Sequence, residues 1–323
     1  MRTPGHWDRE GALPLLLSPL GRLYGAATAR RVRRKGLRLP VPVVSVGNLT
    51  AGGTGKTPIV LDLVGRLGAL GIAAHVVTRG HGGRIRGPVR VDPRHHDAAD
   101  AGDEALLLAA SAPVWVSRDR AAGGRMAAEA GAGAVILDDA HQNPSLLKDM
   151  SIVVADARTG FGNGKCIPAG PLREPVAAGL ARADLLVLLG SAEDRAARRA
   201  EMAGLSIAEG ALAPLPTGMA WRGLRVLAFA GIGRPEKFFA TLRGLGAEIV
   251  RAVPLGDHQP LPPALIQRLM ADAGALGAQL VCTEKDAVRL PPALRGEVLV
   301  LPVRVDWADD AALTAMLAAL FER

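Results

Sequence analysis

The sequence predicts an α/β protein with a parallel-sheet lobe and a second, smaller α/β lobe. From Val41 onward, short β-branched runs alternate with Gly/Ala-rich stretches of helical length, which is typical of a parallel sheet covered by helices. The same alternation restarts after Trp221, and 323 residues are enough chain for two domains of ordinary size. The hydrophobic fraction of 49% and the charged fraction of 22% exclude a disordered or collagen-like chain.

The elements of both lobes follow from these runs. For the first lobe we expect strands at Val41–Val46, Ala73–Thr78, Val114–Val116, Ala134–Leu137, Ile152–Ala155 and Leu185–Leu189, and helices at Thr57–Leu70, Asp103–Ala110 and Arg118–Gly131. For the second lobe we expect strands at Leu224–Ala230, Glu248–Val253 and Gln279–Cys282, helices at Pro235–Gly244 and Pro262–Gly274, a β-rich run at Glu297–Val303 and a closing helix at Asp309–Phe321. The expected divisions are an N-terminal segment 1–36, a first lobe 37–205, a connector 206–220 containing Pro214 and Pro216, a second lobe 221–303, and a C-terminal helical segment 304–323 packing back on the first lobe.

The N-terminal segment carries most of the positive charge. Residues 1–40 contain nine Lys and Arg against two acids, in a chain of formal net charge +8. The leucine-rich block Ala12–Leu20 precedes the basic run Arg30–Lys35, the order expected of a helix that lies in a bilayer interface and pairs its cationic end with anionic head groups. The alternatives are a core helix before a solvated basic turn, or a nucleic-acid-binding arm. Pro14 and Pro19 weaken any single long helix.

Other signals bear on the compartment. Cys166 and Cys282 are too few for a disulfide framework and have no partner at metal-ligand spacing, which favours a reducing compartment. No stretch reaches the ~18–20 apolar residues of a spanning helix. The apolar block precedes the basic cluster, the reverse of the order in a secretory signal peptide. These signals leave the interfacial helix and its alternatives open, so membrane attachment needs a second signal.

The strongest motif is a glycine-rich loop between the first strand and the first helix of the α/β pattern. In such a loop the backbone N–H groups converge on phosphate oxygens, the lysine reaches the terminal phosphates and the threonine hydroxyl binds Mg²⁺. We expect the nucleotide to be held by Thr50, Ala51, Gly52, Gly53, Thr54, Gly55, Lys56 and Thr57. The first lobe is thereby predicted to be a P-loop NTPase-type lobe.

This loop departs from both standard patterns. Thr50 stands where the first glycine of G-x-x-x-x-G-K-[ST] would fall, and Ala51 replaces the lysine typical of deviant G-G-x-G-K-T loops. A chance glycine turn is the alternative interpretation. Kinases, ATPases and GTPases share such loops, so the loop alone does not name a reaction.

Polar residues follow several predicted strands, where α/β sheets bind their ligands. Asp138 and Asp139 end an apolar strand as in a Walker-B element, which places a carboxylate near Mg²⁺. Arg79 lies in a glycine-rich turn, where it could contact phosphate or simply be exposed. Asp103 opens a helix, where an acid is a common cap. His258 follows an aspartate after a second-lobe strand and is an acid–base candidate.

Taken together, the motifs resemble the tetraacyldisaccharide 4′-kinase family, the lipid A 4′-kinases of Gram-negative bacteria. The matching segments, in the family's order over residues 41–290, are VSVGNLTAGGTGKTP, TRGHGG, GDE, ILDDAHQ, PAGPLREP, FAGIGRPEKFF, GDHQ and CTEKDAVRL. Two positions depart from the family pattern: His81 takes the tyrosine position of TRGYGG, and Ala140-His141 replace the Gly-Phe of DDGFQ. Both changes leave the acidic residues intact.

The resemblance implies ATP-dependent phosphorylation of the 4′-hydroxyl of a tetraacyldisaccharide 1-phosphate, yielding lipid IVA at the cytoplasmic face of the inner membrane. It implies ATP and Mg²⁺ as cofactors and anionic lipids as a contact surface, with neither nucleic acid nor an obligate protein partner. Such a substrate supports the interfacial interpretation of the N-terminal segment.

The family pattern also assigns roles to residues. Asp103 becomes the catalytic acid–base carboxylate and His258 its partner, so the two lobes must meet across a cleft. Lys56 serves the terminal phosphates. The residues expected at Mg²⁺ are Thr57 with Asp138 or Asp139, and those expected at the substrate are Arg79, Gln142, Arg173 and Glu174.

Two other classes compete with the kinase. A membrane-bound deviant-loop ATPase should carry the lysine that Ala51 replaces. A basic-armed nucleic-acid-binding NTPase should lack the leucine block and carry net positive charge in its body, whereas the positive charge here is concentrated in residues 1–40.

Overall fold

The computed structural model describes residues 4–202 and 204–321, and within these residues the strands form two sheets. The larger sheet has the order β13-β8-β7-β6-β1-β5-β2-β4-β3 and is parallel except for its two edge pairs, β13 with β8 and β3 with β4. Its strands are β1 (Val43–Gly47), β2 (Ala74–Thr78), β3 (Val89–Arg90), β4 (Val114–Val116), β5 (Ala134–Asp138), β6 (Met150–Asp156), β7 (Leu185–Leu189), β8 (Ile207–Pro214) and β13 (Val303–Asp309). This sheet and its helices form the larger lobe.

Helices cover both faces of the larger sheet. They are α2 (Lys56–Ala69), α3 (Ala98–Ala101), α4 (Asp103–Ala109), α5 (Arg120–Glu129), α6 (Val176–Leu180), α7 (Ala192–Glu201) and α11 (Ala311–Phe321), and the N-terminal helix α1 (Ala12–Val32) lies outside them. The central strands are buried along their whole length, as expected of a parallel sheet with two covered faces. Leu313 and Leu317 of α11 lie in the same core as Ile59 and Leu63 of α2.

The second lobe is a parallel sheet of the order β10-β9-β11-β12, as far as the described residues show. Its strands are β9 (Arg225–Ala230), β10 (Glu248–Pro254), β11 (Gln279–Thr283) and β12 (Leu299–Leu301), and its helices are α8 (Pro235–Gly244), α9 (Pro263–Ala275) and α10 (Glu284–Ala287). Phe229 and Phe239 are fully buried at its centre. The prediction of an α/β protein with a parallel sheet is confirmed.

The connector predicted over 206–220 is wrong in its first half. Residues 207–214 form β8, which pairs in parallel with β7 and antiparallel with β13. Residues 207–213 can form a strand, and Pro214 and Pro216 stand at or beyond its end, where they do not interrupt the pairing. The β-rich run predicted at Glu297–Val303 is split between the two sheets. Its first part is β12 of the second lobe, and its last residue begins β13 of the larger sheet.

The N-terminal helix α1 is continuous, contrary to the expectation from its prolines. Pro14 lies in the first turn, where proline is tolerated, and Pro19 is accommodated within the helix. Gly21 and Gly25 face Cys166 so closely that an added Cβ on Gly21 would lie 2.6 Å from the Cys166 carbonyl oxygen. The opposite side exposes a leucine stripe consisting of Leu13, Leu16, Leu20 and Leu23. Among the described residues, no helix is long and apolar enough to span a membrane.

Candidate active site

The phosphate loop joins β1 to α2 at the centre of the larger sheet. Gly55 adopts φ +91° immediately before α2, a conformation that favours glycine and turns the chain into the helix. The loop is anchored from outside, because Ala51 donates its backbone N–H to the Pro171 carbonyl at 2.7 Å and Arg173 donates its own to the Leu49 carbonyl at 2.7 Å. The 171–173 segment therefore fixes the first half of the loop.

Two buried polar atoms of this loop lack a protein partner within the described chain. They are Asn48 Oδ1 and Thr54 Oγ1. Buried polar atoms are normally hydrogen-bonded, so an orphaned pair in a glycine-rich loop indicates groups that a ligand completes. Together with the N-terminus of α2, the loop fits the phosphates of a nucleotide.

A cluster of opposite charges lies beside the loop. Arg173 Nη1 donates to both oxygens of Asp139, at 2.9 and 3.0 Å, and Lys56 Nζ lies 3.5 Å from Asp139 Oδ1. Burial opposes ionisation of Asp139, but Lys56 and Arg173 outweigh it and lower the pKa of this carboxyl to about 2. Asp139 is therefore ionised at neutral pH and holds Lys56 at the loop.

Asp138 is the last residue of β5 and is almost fully buried. Its Oδ2 accepts a hydrogen bond from Thr78 Oγ1 at 3.0 Å. Burial, together with the nearby charges of Glu104 and Asp139, raises the pKa of Asp138 to about 7. A buried carboxyl with so little compensation from protein cations is the kind of group that a bound divalent cation satisfies.

The oxygen atoms of Asp138 and Thr57 are suitable ligands for Mg²⁺. Mg²⁺ is usually held by one or two protein oxygens together with substrate phosphates and water. Asp138 is the last residue of β5, and Thr57 is the second residue of α2, directly after the loop. Asp139 fits less well, since Arg173 already engages both of its oxygens.

The structure brings Asp103 and His258 together across the two lobes. Asp103, the first residue of α4, is 3% exposed, and its Oδ2 lies 2.9 Å from His258 Nδ1. Its Oδ1 accepts the backbone N–H of Glu104 at 2.9 Å. Burial favours the neutral acid, but the hydrogen bond from His258 and the charge of Lys285 outweigh burial and lower the pKa of Asp103.

Backbone strain is concentrated at this site. Among the described non-glycine residues, Asp139 (φ +49°) and His258 (φ +56°) have positive φ. Such conformations carry a cost of order 1 kcal/mol and persist where the surroundings enforce them, often at functional positions. In both cases the turn follows a strand, and the side chain it presents is paired: Asp139 with Lys56 and Arg173, and His258 with Asp103.

Gln142 and Glu174, which are predicted to contact the substrate, are both buried beside the phosphate loop. Glu174 is 1% exposed and accepts hydrogen bonds from Arg182 Nη2, at 2.8 and 2.7 Å. Gln142 Nε2 donates to Glu174 Oε1 and to the Asn48 carbonyl, both at 2.9 Å. These two residues support the phosphate loop, because Gln142 binds the Asn48 carbonyl at its start. Arg79 is exposed at the end of β2 with no ion pair to another described residue, and it remains available to a substrate anion.

The family's aromatic positions are filled differently here. His141 is buried against Gly47, and its Nε2 lies 2.9 Å from the Gly179 carbonyl. Burial and the neighbouring Lys148 lower the pKa of His141 to about 4, so this ring is neutral at pH 7. The ring of His81 stands edge-on to the His258 ring with centroids 5.6 Å apart.

Sequence reasoning missed two cations of the site. Arg120 is buried, donates to the Asp138 carbonyl at 3.2 Å, and leaves its Nε without a protein partner. Burial lowers the pKa of Arg120 to about 10. Lys285 Nζ lies 3.2 Å from both His258 Nε2 and Glu104 Oε1. Arg120 follows β4, whose carboxyl end lies at the same edge of the sheet as the carboxyl ends of β1 and β5. Its place after a strand was the signal in the sequence that could have identified it.

Comparison with known proteins settles the family. The family model described as tetraacyldisaccharide-1-P 4′-kinase (LpxK) matches residues 13–322. The chain belongs to the tetraacyldisaccharide 4′-kinase family. It is 60% identical to the tetraacyldisaccharide 4′-kinase of Dinoroseobacter shibae, over 99% of this chain and 98% of that protein, and 52% identical to that of Rhodospirillum centenum, over 99% and 97%.

A solved structure agrees with this membership. The crystal structure of LpxK from Aquifex aeolicus in complex with ATP aligns with a TM-score of 0.76 and 26% identity, covering 96% of this chain and 100% of that one. The resemblance drawn from the motifs is confirmed.

Proposed function

We propose that this protein is a tetraacyldisaccharide 4′-kinase, which transfers the γ-phosphoryl group of ATP to the 4′-hydroxyl of a tetraacyldisaccharide 1-phosphate to give lipid IVA. The observation that carries the proposal is the convergence of the phosphate loop and the Asp103–His258 pair. The charges of Lys56, in the loop, and of Glu104, the neighbour of Asp103, both act on the buried Asp138 carboxyl. A nucleotide phosphate bound at the loop would therefore lie near the acid–base pair.

Within the pair, the geometry favours His258 as the group that meets the hydroxyl. Both oxygens of Asp103 are already engaged and its side chain is buried, whereas the imidazole is 30% exposed. The proton of the 4′-hydroxyl passes to His258 Nε2, the sugar oxygen bonds to the γ-phosphorus, and the bond from that phosphorus to the ADP oxygen breaks. Asp103 orients the ring and stabilises the imidazolium. This reverses the division of roles expected from the sequence.

ATP and Mg²⁺ are the proposed cofactors. Thr57 and Asp138 would hold the metal, which when bound neutralises charge on the transferred phosphoryl group. Lys56, positioned by Asp139, reaches the terminal phosphates. Arg173 holds Asp139 in place, and Arg79 is free to contact an anionic part of the lipid.

The proposed location is the cytoplasmic face of the inner membrane, with attachment through α1. Its small-residue face packs on the larger lobe, while the leucine stripe points outward. The exposed basic residues Arg30, Arg31, Arg33, Arg34 and Lys35 lie at its carboxyl end. An interfacial helix with a cationic end suits an anionic, acylated substrate.

The test is transfer of labelled phosphate from ATP to tetraacyldisaccharide 1-phosphate in detergent micelles, followed by thin-layer separation. We expect label in the lipid, dependent on Mg²⁺, and none in Lys56→Met. Hydrolysis of ATP at the same rate with and without lipid, and no labelled lipid, would instead support a membrane ATPase.

A further inference from the structure

Lys285 occupies the position from which it can control the protonation of His258. It is the second residue of α10 in the second lobe, with its side chain 22% exposed. Its Nζ lies 3.2 Å from His258 Nε2, 3.2 Å from Glu104 Oε1 and 4.0 Å from Asp103 Oδ2. One ammonium group thus touches the imidazole and both acids at the start of α4.

The hydrogen bonds around the imidazole allow one arrangement of protons. The low pKa of Asp103 makes it a carboxylate at neutral pH, so it can only accept, and the Nδ1 facing it must carry a proton. Lys285 Nζ also lies 3.2 Å from the Glu104 carboxylate and 4.0 Å from that of Asp103, so the proton shared with Nε2 resides on this ammonium. An ammonium has three donors and no acceptor. His258 Nε2 must therefore present its lone pair.

We infer that Lys285 is a positioning residue that keeps Nε2 of His258 unprotonated, with its lone pair ready for the substrate hydroxyl, while Asp103 holds the proton on Nδ1. This inference rests on the proposed function and deepens it. Glu104 provides the second contact of the Lys285 ammonium. The ammonium already contacts its carboxylate, so when the hydroxyl takes the place at Nε2, Lys285 retains a charged partner on the larger lobe.

Asp257 is the other acid near the ring, with its Oδ1 3.7 Å from His258 Nε2. That distance is beyond hydrogen-bond range, whereas Lys285 is within it. Lys285 therefore governs Nε2 in this arrangement.

The first measurement detects the proton on each ring nitrogen directly. In protein labelled with ¹⁵N at histidine, long-range ¹H–¹⁵N spectra distinguish a protonated from an unprotonated ring nitrogen, with His258→Gln assigning the signals. We expect protonated Nδ1 and unprotonated Nε2 in the unaltered protein at pH 7.5, and a protonated fraction of Nε2, with Nδ1 still protonated, in Lys285→Met. An Nε2 that stays fully unprotonated in Lys285→Met would overturn the inference.

The second measurement is steady-state kinetics with a matched control. Lys285→Met should lower kcat about 10- to 100-fold and change the KM for ATP less than about threefold, and Lys285→Arg should restore part of kcat. Lys237→Met is the control, because Lys237 also joins the two lobes, through Asp156, without touching His258. Equal losses of kcat in the two methionine variants would mean that Lys285 only docks the lobes, which refutes the inference.

The His258→Gln background separates this inference from the proposed function. There, Lys285→Met should lower kcat no further, since a residue that acts through His258 has nothing left to act on. A full additional loss would overturn the inference while leaving the kinase assignment intact. Normal kcat in His258→Gln itself would instead refute the proposed base. Melting temperatures of every variant identify any that fail to fold.

Discussion

Lys237 of the second lobe donates to Asp156 of the larger lobe, with Nζ 2.7 Å from Oδ2 at the carboxyl end of β6. Arg234 Nη1 reaches the same oxygen at 3.0 Å. This contact lies on the far side of the phosphate loop from the Asp103–His258 pair, in the strand order of the sheet. The second lobe is therefore held to the larger lobe on both sides of the cleft.

The first prediction concerns the pH dependence of that contact. Burial alone would raise the pKa of Asp156, but Lys237, the Thr159 backbone N–H and Arg234 outweigh it and hold the pKa below its usual range. A carboxyl whose pKa is lower in the folded protein contributes stability above the ordinary carboxyl range and loses it as pH falls through the depressed value. Asp156→Asn should cost about 1 kcal/mol at pH 7, because both cations are largely exposed.

Thermal melts from pH 7 to pH 3 test this prediction. The difference in Tm between the two proteins should shrink below about pH 4, where the carboxylate of the unaltered protein protonates. Asp306→Asn, at an exposed position in β13, is the control and should have no effect at either pH. A Tm difference that stays constant with pH would contradict the assignment.

The second prediction treats Asp103 and His258 as one unit. Asp103→Asn and His258→Gln should each lower kcat about 10²- to 10⁴-fold, and the double variant should lose little more than the worse single one. The exposed His95→Gln serves as a control. Rate losses that multiply in the double variant would show that the two residues act independently.

The third prediction assigns Glu174 to the support of the phosphate loop. Glu174→Ala removes the buried partner of Arg182 and Gln142, so it should lower the free energy of unfolding by about 1–3 kcal/mol and weaken ATP binding. Urea unfolding and nucleotide titration measure the two effects, with the exposed Glu201→Ala as control. Unchanged stability combined with lost lipid binding would restore the substrate role predicted from the sequence.

The fourth prediction concerns the leucine stripe of α1. Replacing Leu16 and Leu20 with Glu should abolish most binding to anionic liposomes and raise the KM for the lipid, because the face that enters the interface becomes charged. Leu70→Glu is the matched control, since Leu70 is a 57% exposed leucine at the end of α2, outside α1. Undiminished liposome sedimentation of the double variant would refute attachment through this helix.

The sequence predicted those parts of the site that local patterns encode. The strand, glycine loop and helix around Lys56 are contiguous, and the Asp103–His258 pair came from the family pattern. Lys285 was missed because its acidic partner Glu104 lies in the other lobe, and no local periodicity reports a contact across lobes. Arg120 was missed although its place directly after β4 was a signal in the sequence. The burial of Glu174 depends on its contacts with Arg182 and Gln142, which the local sequence pattern does not report.

The placement of β8 and β13 as neighbours has a consequence for synthesis and truncation. Val303 pairs with Pro214, so the whole second lobe is an insertion between two adjacent strands of the larger sheet. A ribosome must finish the inserted domain before the sheet that precedes it can gain its edge strand and α11. Deleting residues from 303 onward should therefore destabilise the larger lobe, which begins the chain, rather than the second lobe, which directly precedes the deleted residues.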